Sequence, residues 1–148
     1  MMEIADLVVK SSDGNVALIV EVKARSHVSD EWASTLHRNL VVHGLIPKSA
    51  YFLLALADFF YLWNPCHPVL SDRFDYKVPS NKILSRYLNK ASLTALSGSS
   101  LELLLSAWLG DIINSEISVD EYPEFSWMIE SNLYDSIKGG AVQAQAVI

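Results

Sequence analysis

Asp6, Glu21 and Lys23 are the residues of this chain whose types and spacing suit chemistry. Two carboxylates offer hard oxygen ligands to a divalent cation, and an ammonium beside them offers a positive charge or a proton. Glu21 and Lys23 are two residues apart, so on a strand they point to the same face. Before them runs Val16-Ala17-Leu18-Ile19-Val20, which reads as a strand buried on both sides. An acid and a base at the end of such a strand are costly to bury unless they pair or bind something. A divalent cation is the first candidate.

The flanking sequence predicts the elements that position these groups. Residues 6–10 form a short strand, and Ser11-Ser12-Asp13-Gly14-Asn15 forms a hairpin turn in which Asp-Gly meets the need for positive φ. Residues 16–24 return as the second strand. Counting outward from the turn brings Asp6 and Glu21 close to opposite each other. Ser29 then caps a helix with acids in its first turn and Trp32, Leu36 and Leu40 at helical spacing; Gly44 and Pro47 end it. Residues 51–56 and 59–63 read as two strands about an Ala57-Asp58 turn.

The remainder predicts mostly helix. Residues 64–80, with Pro65, Pro68 and Pro79, read as an irregular connection. A short helix is expected over 80–90. A more apolar one, capped by Ser99 or Ser100, is expected to run through Asn114 with Leu101, Leu104, Leu105, Trp108 and Ile112 in register. A last amphipathic helix over 125–138 closes at Gly139-Gly140, and the tail from 141 reads as an edge strand or a frayed end. The expected organisation is a single α/β (α+β) domain over 1–148. It has a core at 1–63, the connection at 64–80, and a mostly helical extension over 81–148 packed on that core. Trp32, Trp63, Trp108 and Trp127 are expected in the core.

An aspartate, a hairpin, Glu-x-Lys, a helix and a further strand resemble the core of the PD-(D/E)xK nuclease superfamily. Asp6, Glu21 and Lys23 carry the resemblance, which covers roughly residues 4–63, with Ala5 where many members have proline. It implies a restriction-endonuclease-like fold, a mixed central sheet of about four strands flanked by helices. It implies a Mg²⁺- or Mn²⁺-dependent endonuclease that hydrolyses phosphodiester bonds. By the same resemblance, Asp6, Glu21 and the Val22 backbone carbonyl hold the metal, which polarises a phosphoryl oxygen and acidifies a bound water. Lys23 orients or deprotonates that water and stabilises the developing charge. Arg25, Arg38 and Lys48 flank the motif as candidates for substrate phosphates, with an ordinary solvated face as the alternative. Many members carry a further acid on a helix ahead of the first core strand. Glu3 is the residue here that could substitute for it.

Bulk properties bound the reading. A length of 148 residues and 51% hydrophobic content support a real core and argue against disorder. No apolar run reaches the roughly 20 residues that span a bilayer, no signal peptide is visible and there is one cysteine, so the expected setting is cytoplasmic and off the membrane. Cys66-His67 is too sparse for a zinc site. The net charge of −6 is uneven. Residues 1–90 carry ten Lys/Arg against nine Asp/Glu, whereas 91–148 carry Lys138 against eight acids. A nucleic-acid partner, DNA ahead of RNA, would therefore meet the first ninety residues. A homodimer or a protein partner is the other expected association. Two competing readings stand beside the nuclease. One is a catalytically inactive interaction module that keeps the nuclease fold; the other is a metal-dependent hydrolase of small phosphates. The plainest alternative is that Glu21 and Lys23 form an ion pair at a sheet end, worth about 0–1 kcal/mol if exposed.

Overall fold

Residues 5–65, 73–116 and 121–144 are described by the computed structural model. Strand β1 (Leu7–Lys10) turns through Asp13-Gly14 into β2 (Val16–Lys23), with Gly14 at φ +90° and Ser11 N donating to Asn15 O at 2.8 Å. The two strands pair antiparallel, Leu7 opposite Val20, so Asp6 comes level with Glu21 just beyond the end of the ladder. Helix α1 (Asp30–Val42) follows, and Ser29 Oγ accepts from Trp32 N at 3.0 Å as its N-cap. The helix returns the chain so that β3 (Tyr51–Leu56) lies parallel to β2, Leu18 opposite Tyr51 and Lys23 opposite Leu56. Strand β4 (Phe59–Trp63) then pairs antiparallel with β3.

The sheet is larger than the four strands expected: six, in the order β5-β4-β3-β2-β1-β6. Strand β5 (Tyr76–Pro79) lies inside the segment read as irregular and pairs with β4. Pro79 is the last residue of an edge strand, where a missing N–H is tolerated. At the other edge β6 (Ala141–Ala144) pairs antiparallel with β1. Gly140 enters this edge so closely that a Cβ there would stand 2.0 Å from Lys10 O. Glu3 and Cys66-His67 lie outside the described residues.

Both faces of the sheet are covered. Alternation along β2 sends Ile19 into a cluster with Phe52, Leu54, Trp63 and Ala33 of α1. Leu18, Val20 and Val22 join the opposite cluster with Leu101, Leu105, Trp108, Met128 and Leu133. That second layer is built from α2 (Ser80–Ile83), α3 (Lys90–Thr94), α4 (Gly98–Ile113), α5 (Ser126–Glu130) and α6 (Leu133–Ile137). Trp63, Trp108 and Trp127 are buried, and Trp32 packs at the margin of the α1 cluster.

Three helix expectations need correction. The helix expected over 80–90 is one four-residue turn, followed by α3, which Asn89 caps by accepting from Ser92 N. The cap of α4 is Ser97, whose Oγ accepts from Ser100 N. The last helix is broken at Asn132, whose φ of +64° ends α5 and starts α6; asparagine tolerates this left-handed conformation better than most residues. Ser131 is buried at the break, and its carbonyl accepts from Tyr51 Oη at 2.6 Å.

Candidate active site at the carboxyl ends of β2 and β3

Alternation puts Glu21 and Lys23 on one face at the end of β2, and hairpin register brings Asp6 beside them. Asp6 Oδ2 accepts from Val22 N at 2.7 Å, which ties the acid to the strand beyond the last β1 pair. A residue's N–H and C=O point to the same side of a strand. The Val22 carbonyl therefore also faces the side of Asp6. Lys23 Nζ stands 4.0 Å from Glu21 Oε2, with the Glu21 side chain 18% exposed and that of Lys23 43%. The structure thus brings together Asp6, Glu21, Val22 and Lys23.

Glu102, on the second turn of α4, is a member of this group that the sequence reading missed. It lies close enough to Asp6 and Lys23 to feel the charge of both. Its only sequence signal is an acid in a helix that is otherwise apolar around it. Helix α4 starts at the Asp6 end of the sheet and finishes near β6, where Gly139 N donates to Ile113 O at 2.9 Å. This direction delivers Glu102 to the site.

The crowding has an electrostatic consequence. Partial burial, first, and then the neighbouring Asp6 carboxylate push the Glu21 carboxyl up to about 7, against a smaller opposing pull from Lys23. Burial and Asp6 likewise raise Glu102. Near neutral pH the cluster therefore holds a proton that ordinary surface carboxylates would have lost. A cation bound there would take over that neutralising role.

Among the described residues, no group of three His, Cys, Asp or Glu side chains is placed to hold a metal by itself. The donor set of Asp6, Glu21 and the Val22 carbonyl is instead two carboxylates and a backbone oxygen. That set matches the preference of Mg²⁺ or Mn²⁺ for oxygen. The proton held by crowded carboxylates marks the same spot as short of positive charge.

The flanking cations separate. Arg25 lies two residues past Lys23, where its guanidinium stacks 4.9 Å over the Trp32 ring. Arg38 is exposed eight residues along α1, about 12 Å from the helix start. Lys48 precedes β3, whose first residue pairs with Leu18. Five residues of strand, on the order of 17 Å, separate that end from Lys23. Of the three phosphate candidates, the fold keeps Arg25 near the carboxylates and carries Lys48 to the other end of the sheet. His37 stacks on Trp63 with ring centroids 4.4 Å apart and is half-buried.

Comparison of the chain with protein-family models, with curated proteins and with solved structures finds no match to any of them. Among the described residues no helix is long and apolar enough to cross a membrane.

Proposed function

We propose that this chain is a divalent-metal-dependent nuclease that hydrolyses phosphodiester bonds. The observation that carries the reading is the convergence of Asp6 and Glu21 beside Lys23 at one end of a mixed sheet. Mg²⁺ or Mn²⁺ bound there supplies Lewis acidity toward a phosphoryl oxygen and lowers the pKa of a water. Asp6, Glu21 and the Val22 carbonyl hold the cation. Asp6 is oriented for this by the Val22 N–H, which fixes one carboxylate oxygen. Lys23, partly exposed and on the Glu21 side of the strand, positions the attacking water and offsets charge on the phosphorane-like transition state. Glu102 sets the charge balance of the cluster through Asp6. Arg25, held on Trp32, is the nearby cation for a substrate phosphate.

A second reading, an inactive nuclease-fold interaction module, is favoured by the same Asp6–Val22 hydrogen bond, because a carboxylate tied to its own backbone also serves a purely structural role. One experiment separates the two. Purified chain is incubated with single- and double-stranded DNA and RNA, with Mg²⁺, Mn²⁺ or EDTA, alongside Lys23→Ala and Glu21→Gln. The nuclease reading expects metal-dependent cleavage that both substitutions abolish. Cleavage equal in the parent and both variants, or its absence together with no Mn²⁺ binding by titration calorimetry, would sink it.

A further inference from the structure

A cleft of about 310 Å³ opens at the same end of the sheet as the candidate site, and Lys82 and Lys90 are among the residues that line it. Its floor is the β3–β4 turn at Asp58. One wall is the loop that follows Lys23, with Ser26 and His27. The other is the start of α2 and of α3, with Lys82, Asn81 and Lys90. The walls are tied to the floor by hydrogen bonds. His27 N donates to Asp58 Oδ2 at 2.8 Å, Ala57 N donates to Arg25 O at 3.1 Å, and Ser80 N donates to Asp58 O at 2.9 Å. The buried Ser80 hydroxyl also donates to Leu56 O at 2.9 Å. The cleft is thus built on the carboxyl end of β3, next to the strand whose end carries Glu21 and Lys23.

His27 takes φ +60° with no glycine to make that conformation cheap. A non-glycine residue there is worth a functional explanation, because the conformation is sparsely populated. The Asp58 bond holds it, and the residue lines the cleft. Lys82 and Lys90 are exposed, and among the described residues neither is in an ion pair. Asp58 is the acid of the lining, and one of its oxygens is already engaged by His27 N. Two ammonium groups against one carboxylate leave the cleft net positive, in a protein of net charge −6.

From these observations we infer that the cleft is a phosphate-binding subsite: Lys82 and Lys90 bind phosphate oxygens of a chain whose scissile group lies at Asp6, Glu21 and Lys23. The inference rests on the nuclease reading for the identity of that chain. Its own content is the ligand chemistry and the residues that recognise it. Lysines act here as point charges, so they fix the path of a backbone rather than read its bases.

The test is binding in EDTA, where cleavage plays no part. Anisotropy of a fluorescent oligonucleotide is followed against salt for the parent, for Lys82→Gln/Lys90→Gln, and for Lys10→Gln. Lys10 sits at the hairpin end of β1, away from the cleft. Removing one lysine–phosphate pair lowers the slope of log K against log salt by about 0.7–0.9, so the double variant is expected to lose about 1.4–1.8. Lys10→Gln is expected to keep the parent slope. A Lys82→Arg/Lys90→Arg variant is expected to restore it. Inorganic phosphate is added as a competitor. Displacement seen with the parent and absent in the double variant assigns the cleft to small phosphates; resistance with the slope change intact assigns it to the phosphodiester chain. Both results support a phosphate site. A slope unchanged in the double variant, or lowered equally by Lys10→Gln, overturns the proposal, as does a parent that binds no oligonucleotide. Binding with the expected slope change but no metal-dependent cleavage leaves the cleft standing and removes the metal reading.

Discussion

Replacing Glu21 by Gln should stabilise the protein in a strongly pH-dependent way. The Glu21 carboxyl sits at about 7 in the folded chain against 4.5 for the free group, with burial the first cause and the Asp6 carboxylate the second. A carboxyl raised in the folded state binds its proton more tightly there than in the unfolded chain. The associated stability is fully present below pH 4.5 and is lost as pH rises through 7. Fully expressed, a shift of this size corresponds to about 3 kcal/mol, and solvent access at the partly exposed site reduces this to about 2–3 kcal/mol. A glutamine keeps the shape and can donate its amide to Asp6, but it has no charge to desolvate. Urea unfolding in EDTA at pH 5 and pH 8 measures the effect. The advantage of Glu21→Gln over the parent should grow by about 2 kcal/mol between those two values. Adding Mn²⁺ at pH 8 should raise the parent's midpoint and leave the variant's nearly unmoved. An advantage that is constant with pH, or that shrinks on going to pH 8, would refute the carboxylate crowding on which the site is built.

Other predictions concern the frame around the site. Gly140→Ala forces a Cβ to within 2.0 Å of Lys10 O and should cost about 1–3 kcal/mol, with amide exchange in β1 rising as β6 detaches. Ser29→Ala removes the acceptor of Trp32 N and should lower stability by about 1 kcal/mol in a chemical melt. Ser80→Ala leaves the Leu56 carbonyl without its hydroxyl donor; about 1–2 kcal/mol should be lost, with the cleft loosening visible as faster exchange at the Asp58 turn. Tyr51→Phe strips the buried Ser131 carbonyl of its partner, and a similar loss should appear as a lower unfolding midpoint.

Local rules carried the first half of the chain. Asp13-Gly14 demands a tight turn, alternation from Val16 to Lys23 sets which side chains share a face, and register from the turn brings Asp6 level with Glu21. Ser29, Gly44 and the Ala57-Asp58 turn marked the elements that follow for the same reason: their backbone requirements are met within a few residues. The convergence of Asp6, Glu21 and Lys23 was legible because a hairpin makes it a short-range event.

Tertiary packing decided the rest. Strand β5 carries a proline and too short a pattern to announce itself, and it exists because β4 offers a free edge. Strand β6 depends on Gly140 fitting against the Lys10 carbonyl, a meeting of the two ends of the chain. Lys48 looked close to the motif in sequence and lies at the far end of the sheet, because the β2–α1–β3 crossover returns the chain to the start of β2. Glu102 reached Asp6 only because α4 packs on Leu18, Val20 and Val22 and runs away from the carboxyl end of β2. Periodicity identifies a helix and its apolar stripe. The direction in which it crosses a sheet depends on the shape of the surface it covers, and that shape forms only when the whole chain is folded.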